Sequence, residues 1–130
     1  MQNKKLRIVV GVIVLILVVG ALGLGMSLYS KGYYHAMRGG MMVKKDRDQA
    51  LRYYKEAYRK NPNAYMVAHD IACSYSVKND QAEAIKWLKL TLKTTYADAA
   101  RDWARSEKDF NNIRDTPEFQ AFLDGSLATE

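Results

Sequence analysis

His69 and Cys73 are the two side chains whose types most invite chemistry, and they stand four residues apart. On a helix that spacing places both on one face. A closed zinc site takes four ligands, and no second cysteine or clustered histidine accompanies them. A cysteine nucleophile needs an oriented base, and no Ser-His-Asp or Cys-His-Asn set can be assembled with any specificity. Cys73 therefore reads as a small buried side chain. Being the one cysteine, it also excludes an intramolecular disulfide framework. No phosphate loop is present: Gly20, Gly23 and Gly25 lie in an apolar run, and Gly39-Gly40 lacks the Lys-Ser/Thr that follows such a loop. The residues thus predict no enzyme, no metal and no cofactor. What remains is binding.

The elements that must position any binding surface begin with a membrane segment. Ile8 to Ser30 is 23 residues without a charge. About 20 apolar residues at ~1.5 Å rise cross a ~30 Å hydrocarbon core, and a helix satisfies its own backbone there. Tyr29, Tyr33 and Tyr34 stand at the far end, where amphipathic rings favour the interface. A cleaved signal peptide is the rival, with Lys4, Lys5 and Arg7 as its charged start and Ala21-Leu22-Gly23 as a small-x-small site. The apolar run continues past Gly23 to Tyr29, which suits an anchor better. No cysteine follows the run as in a lipoprotein, and no glutamate follows its start as in a pilin. Ala21 with Gly25, and Gly23 with Ser27, are spaced i,i+4 and would let a second helix approach closely.

The chain is basic, with 20 Lys+Arg against 14 Asp+Glu, and the charge is uneven. Residues 1–30 carry +3, residues 31–60 carry nine positive and three negative side chains (+6), and residues 61–130 carry eight and eleven (−3). Positive charge beside an apolar span points to anionic lipid. Nucleic acid is not expected, because no basic run is interleaved with aromatics on a known module. Lys and Arg nearly balance across the span. The dense, acid-free N-terminal tail favours a cytoplasmic N-terminus with the C-terminal part translocated.

The remaining 100 or so residues, 31–130, suffice for one small core. They show helix signals and no strand alternation. Asp46-Arg47-Asp48-Gln49 resembles a capping box and opens a helix carrying Ala50, Tyr53, Tyr54, Ala57 and Tyr58. Asn61-Pro62 ends it. Asn63 is expected to cap the next, with Met66, Val67, Ile71 and Tyr75 apolar, and Asn79 to stop it. Asp80-Gln81-Ala82-Glu83 is a second box, opening a helix through Ala84, Ile85, Leu88 and Leu92. A further helix covers Asp98 to Arg105. Thr116-Pro117-Glu118 starts the last, and Gly125 ends it.

A self-comparison sharpens this. Ala50 and Ala84 are 34 residues apart, as are Tyr54 and Leu88, and Pro62 falls twelve after Ala50. In this spacing the chain resembles the tetratricopeptide repeat family. Counted from Lys31, Tyr34, Met37, Met41, Ala50, Tyr54, Ala57 and Pro62 match the family pattern, while Arg38 stands where a small residue is usual. Counted from Tyr65, Ile71, Ala72, Tyr75, Ala84 and Leu88 match, while Thr91 and Tyr96 depart. Gly39-Gly40 weakens the first helix by roughly 1 kcal/mol per glycine, so the membrane helix could run on and break there. Ser106 to Leu123 is similar to the closing segment of bacterial tetratricopeptide proteins, with Phe110, Ile113, Phe119, Phe122 and Leu123 placed to cover the last hairpin.

The resemblance implies an all-α chain: residues 1–30 a tail and single transmembrane helix, residues 31–130 a short array of two repeats plus a capping helix. It implies a groove lined by His35, Met42, Val43, Met66, His69, Cys73, Ser76 and Val77. His35 and His69 share repeat position 5. The lysine and asparagine that family members use to clamp acidic tails are replaced by His35 and Gly39. The expectation is a single-pass protein of a bacterial inner membrane, its array on the periplasmic side. It would hold other protein subunits of a membrane complex as an accessory or assembly scaffold. The alternatives are a freestanding receptor or chaperone adaptor for extended peptides, and a secreted module released near Gly23.

Overall fold

The computed structural model describes residues 2–127, and all regular structure among them is helical. α1 spans Gln2–Ser30, α2 Tyr33–Met42, α3 Arg47–Lys60, α4 Tyr65–Val77, α5 Gln81–Leu92, α6 Ala97–Ser106 and α7 Pro117–Asp124, with a one-turn 3-10 helix at Lys108–Phe110. Within α1, Leu6–Ser30 is long and apolar enough to cross a membrane, and no part of its apolar window is buried inside the protein.

The remaining helices pack as consecutive hairpins, α2 on α3 and α4 on α5, with α3 also against α4. Short connections make such neighbours antiparallel. The capping residues do what their chemistry dictates. The Asp46 carboxylate accepts from the Gln49 amide at 2.9 Å, Asp80 from Glu83 at 3.2 Å and Thr116 from Phe119 at 3.4 Å. Asn79, at φ 60, turns the chain after α4. Asn63 does not cap α4. The cap residue is Ala64, without a side-chain bond, and the Asn63 amide instead donates to the Asn61 side chain at 3.3 Å.

Two apolar clusters share α4. One joins Ala50, Leu51, Tyr54, Ala57, Val67 and Ile71. The other joins Ala72, Ala84, Leu88, Ala100 and Ala104 to Phe110, Ile113, Phe119 and Phe122. The three phenylalanines are fully buried and contribute on the order of 1.5–3 kcal/mol each. Their rings follow one another at 5.2 and 6.2 Å. The Arg114 guanidinium donates to the carbonyls of Arg105 and Glu107, satisfying the last turn of α6.

The chain breaks at Lys31-Gly32, not at Gly39-Gly40. Gly32 has φ 79, and a Cβ there would stand 2.6 Å from the Ala57 carbonyl oxygen. Gly39 lies inside α2 where it crosses α3, and a Cβ there would stand 2.6 Å from the Tyr54 ring. The pair of glycines thus serves close approach rather than a break.

The faces of α2 also differ from expectation. It meets α3 through His35 and Gly39, both buried, and Met42, half-buried. Tyr34, Met37 and Met41, which the repeat spacing assigns to packing, are exposed. Among the described residues, no helix of the array lies beyond α2 to cover them.

Candidate interaction surfaces

His69 and Cys73 do share a face, and the thiol lies 3.6 Å from the His69 Nδ1. Both are buried, because the C-terminal segment lies over them. The Trp103 ring is 5.5 Å from His69, and Phe110 meets it edge-on at 5.2 Å. Burial pushes the His69 pKa down and the Cys73 thiol up, so the pair is a neutral imidazole and a protonated thiol at neutral pH. A nucleophilic cysteine needs the opposite environment. The groove expected along His69 and Cys73 is therefore filled by the chain's own aromatic rings.

Asp70, on the same helix, is half-buried near Asp109, whose 2.8 Å ion pair with Arg47 ties α3 to the 3-10 helix. Desolvation first, then Glu107 and Asp109, raise its pKa to about 6. A carboxyl raised in the folded state adds stability that is full below its unfolded value near 4 and lost as pH climbs through about 6. Asp70→Asn should thus stabilise the fold at pH 7 by about 1–3 kcal/mol. The gain should vanish below about pH 4. Thermal melts across that range check it, and a gain independent of pH would contradict it.

Near the end of α1, His35 sits among Tyr29, Tyr34 and Tyr53 at ring distances of 5.1, 5.3 and 6.4 Å. Among the described residues, neither of its ring nitrogens has a hydrogen-bond partner. With Gln49, Arg52, Tyr53 and Glu56 it walls an open pocket of about 340 Å³. Glu56 is held by Arg59 at 2.7 and 2.9 Å, which drops its pKa to about 2. The Lys60 ammonium lies 4.5 Å from the centre of the Tyr29 ring, tying α3 to the end of α1.

The residues expected to line one groove are thus divided. His35 and Met42 face α3, His69 and Cys73 lie beneath the C-terminal cap, and Met66 and Val77 are exposed. In α1, Ala21, Gly23 and Gly25 are exposed and Ser27 is partly so. Apart from the nearby backbone of α1 itself, no described atom stands within 4 Å of a Cβ built at Gly23 or Gly25.

One surface was not read from the sequence. Tyr65 stacks on Tyr96 with ring centres 4.7 Å apart and planes 18° from parallel, and lies 6.4 Å from Trp103. Tyr96, Met66 and Trp103 are 54%, 49% and 46% exposed. The rings of Tyr65, Tyr96 and Trp103 form an aromatic surface beside the buried His69, and the exposed Met66 follows Tyr65 on α4. Its one sequence signal is Tyr96, which stands where the repeat pattern has proline.

None of the protein-family models, curated proteins or solved structures compared with the chain matches it.

Proposed function

We propose that the chain is a single-pass membrane protein whose helical array, similar in spacing to tetratricopeptide repeats, holds another protein subunit beside the bilayer. In this reading it is an accessory or assembly scaffold of a larger bacterial inner-membrane complex, its array periplasmic. The observation that carries the reading is the Tyr65–Tyr96–Trp103 surface, with the exposed Met66 beside Tyr65 in the sequence, joined in one chain to a helix whose apolar window is not buried by the described residues. Tyr, Trp and Met are the residue types enriched where proteins meet, and a few such anchors carry most of the binding energy. The reading gives the array binding and no chemistry.

Purification of the full chain in mild detergent tests it. A stoichiometric complex is expected, and Trp103→Ala with Tyr96→Ala should lower recovery of the partner subunit about tenfold or more, since interface anchors each cost over about 1 kcal/mol. Helicity should be unchanged. A lone monomer would favour the peptide-receptor reading. A complex indifferent to these changes but lost in Gly25→Leu would move the contact into the membrane helix.

A further inference from the structure

The exposed face of α2 is too apolar and too regular to be an ordinary water-facing surface. Tyr33, Met37 and Met41 follow one another at i, i+4 and i+8 and are 56%, 59% and 62% exposed, with Tyr34 beside them. This stripe is continuous with the membrane helix. Gly25 and Leu28 of α1 and Tyr33, Tyr34 and Met37 of α2 wall one apolar crevice of about 190 Å³. Gly25 lies five residues before the end of α1, about 7 Å back along its axis. Since Tyr33, Tyr34 and Met37 share that crevice with Gly25, the first turns of the α2 face stand at the depth of the last turns of the membrane span.

Charge points the same way. No Asp or Glu precedes Asp46, while Lys31, Arg38, Lys44 and Lys45 flank or belong to α2. Lys31, Lys44 and Lys45 are exposed. An apolar helix face bordered by lysines, with tyrosines at its edge, is the composition of a helix lying in the plane of a headgroup layer.

We infer that α2 is an interfacial helix. Its Tyr33–Met37–Met41 face is immersed in the leaflet from which α1 emerges, among the acyl-chain ends nearest the headgroups, with the flanking lysines on anionic lipid phosphates. This rests on the reading of α1 as a membrane span, and it adds that the array lies against the bilayer in one orientation.

Collisional quenching of a bimane label tests it in the full chain, reconstituted in phosphatidylcholine vesicles containing phosphatidylglycerol. Labels go on Met37→Cys, Met41→Cys, Leu15→Cys and Lys86→Cys, and the wild type with its buried Cys73 gives the background. Nitroxide on a shallow acyl carbon should quench positions 37 and 41, and nitroxide on a deep acyl carbon should quench position 15. Aqueous iodide should quench them at least about threefold less than position 86, as expected for side chains sunk below the headgroups. Met41, outside the crevice, reads the same face if a label at 37 disturbs it. Iodide quenching at 37 and 41 equal to that at 86, with lipid quenching retained at 15, overturns the interfacial helix and leaves the span intact. Protection from both quenchers at 37 and 41 also overturns it, in favour of a protein cover such as a second copy. Loss of lipid quenching at 15 overturns the span and the interfacial helix together.

Discussion

Arginine at both Leu15 and Leu17 should release the chain from membranes. Each charge near the middle of a spanning helix costs about 2.5–3.5 kcal/mol on insertion scales, so the pair costs about 5–7. The two positions lie on roughly opposite sides of the helix, so no rotation keeps both away from lipid. Both side chains are exposed, and neither packs against the array, whose own stability should be unaffected. Carbonate extraction of cell membranes reads the outcome. The wild type should stay in the pellet and the double variant should appear in the supernatant. A double variant that stays in the pellet would remove α1 from the membrane and with it the proposed function.

The second large effect is expected at the glycines of the α1–α2–α3 junction. Gly32→Ala forces a Cβ into a left-handed backbone, worth about 1–2 kcal/mol, and overpacks a backbone carbonyl that cannot swing away, worth a further ~1–3. Gly39→Ala meets the Tyr54 ring, which is 4% exposed and has nowhere to move. The helix-propensity gain of about 1 kcal/mol is smaller than the packing loss there. Gly40→Ala is the internal contrast, because its nearest neighbour is the Tyr54 hydroxyl at 3.9 Å, an ordinary contact. It should stabilise by up to about 1 kcal/mol. Melting of the full chain in micelles, followed by Trp87 and Trp103 fluorescence, should show Gly32→Ala and Gly39→Ala lowered by about 5 °C or more and Gly40→Ala unchanged or raised. A common midpoint for all three would contradict the crossing of α2 and α3.

Local chemistry made much of the fold legible in the sequence. Asp46, Asp80, Thr116 and Pro117 act within one helical turn, where a short side chain and a free amide leave few alternatives. The apolar run of α1 is legible for the same reason, since composition alone sets it. What spacing could not supply is which side of a helix meets which neighbour. The stripe Tyr34–Met37–Met41 has the spacing of a packed face, yet α2 uses His35 and Gly39 against α3, because only a missing Cβ lets Tyr54 so close. The residues expected along one groove are divided for a related reason. His69 does occupy the expected helix face, but Trp103 and Phe110, from 34 and 41 residues further on, fold over it. The Tyr65–Tyr96 stack joins residues 31 apart through a loop that carries no periodic signal.

The joint between α1 and α2 is two residues, Lys31 and Gly32. Fully extended, two residues span only about 7 Å. With α1 in a bilayer, such a leash gives the array no freedom to search the surrounding solution. Encounters become those of two bodies gliding in a common sheet, where confinement alone raises local concentration toward the millimolar range. A subunit anchored in the same sheet would thus be captured even through a weak contact, whereas a soluble protein of equal intrinsic affinity would be passed over.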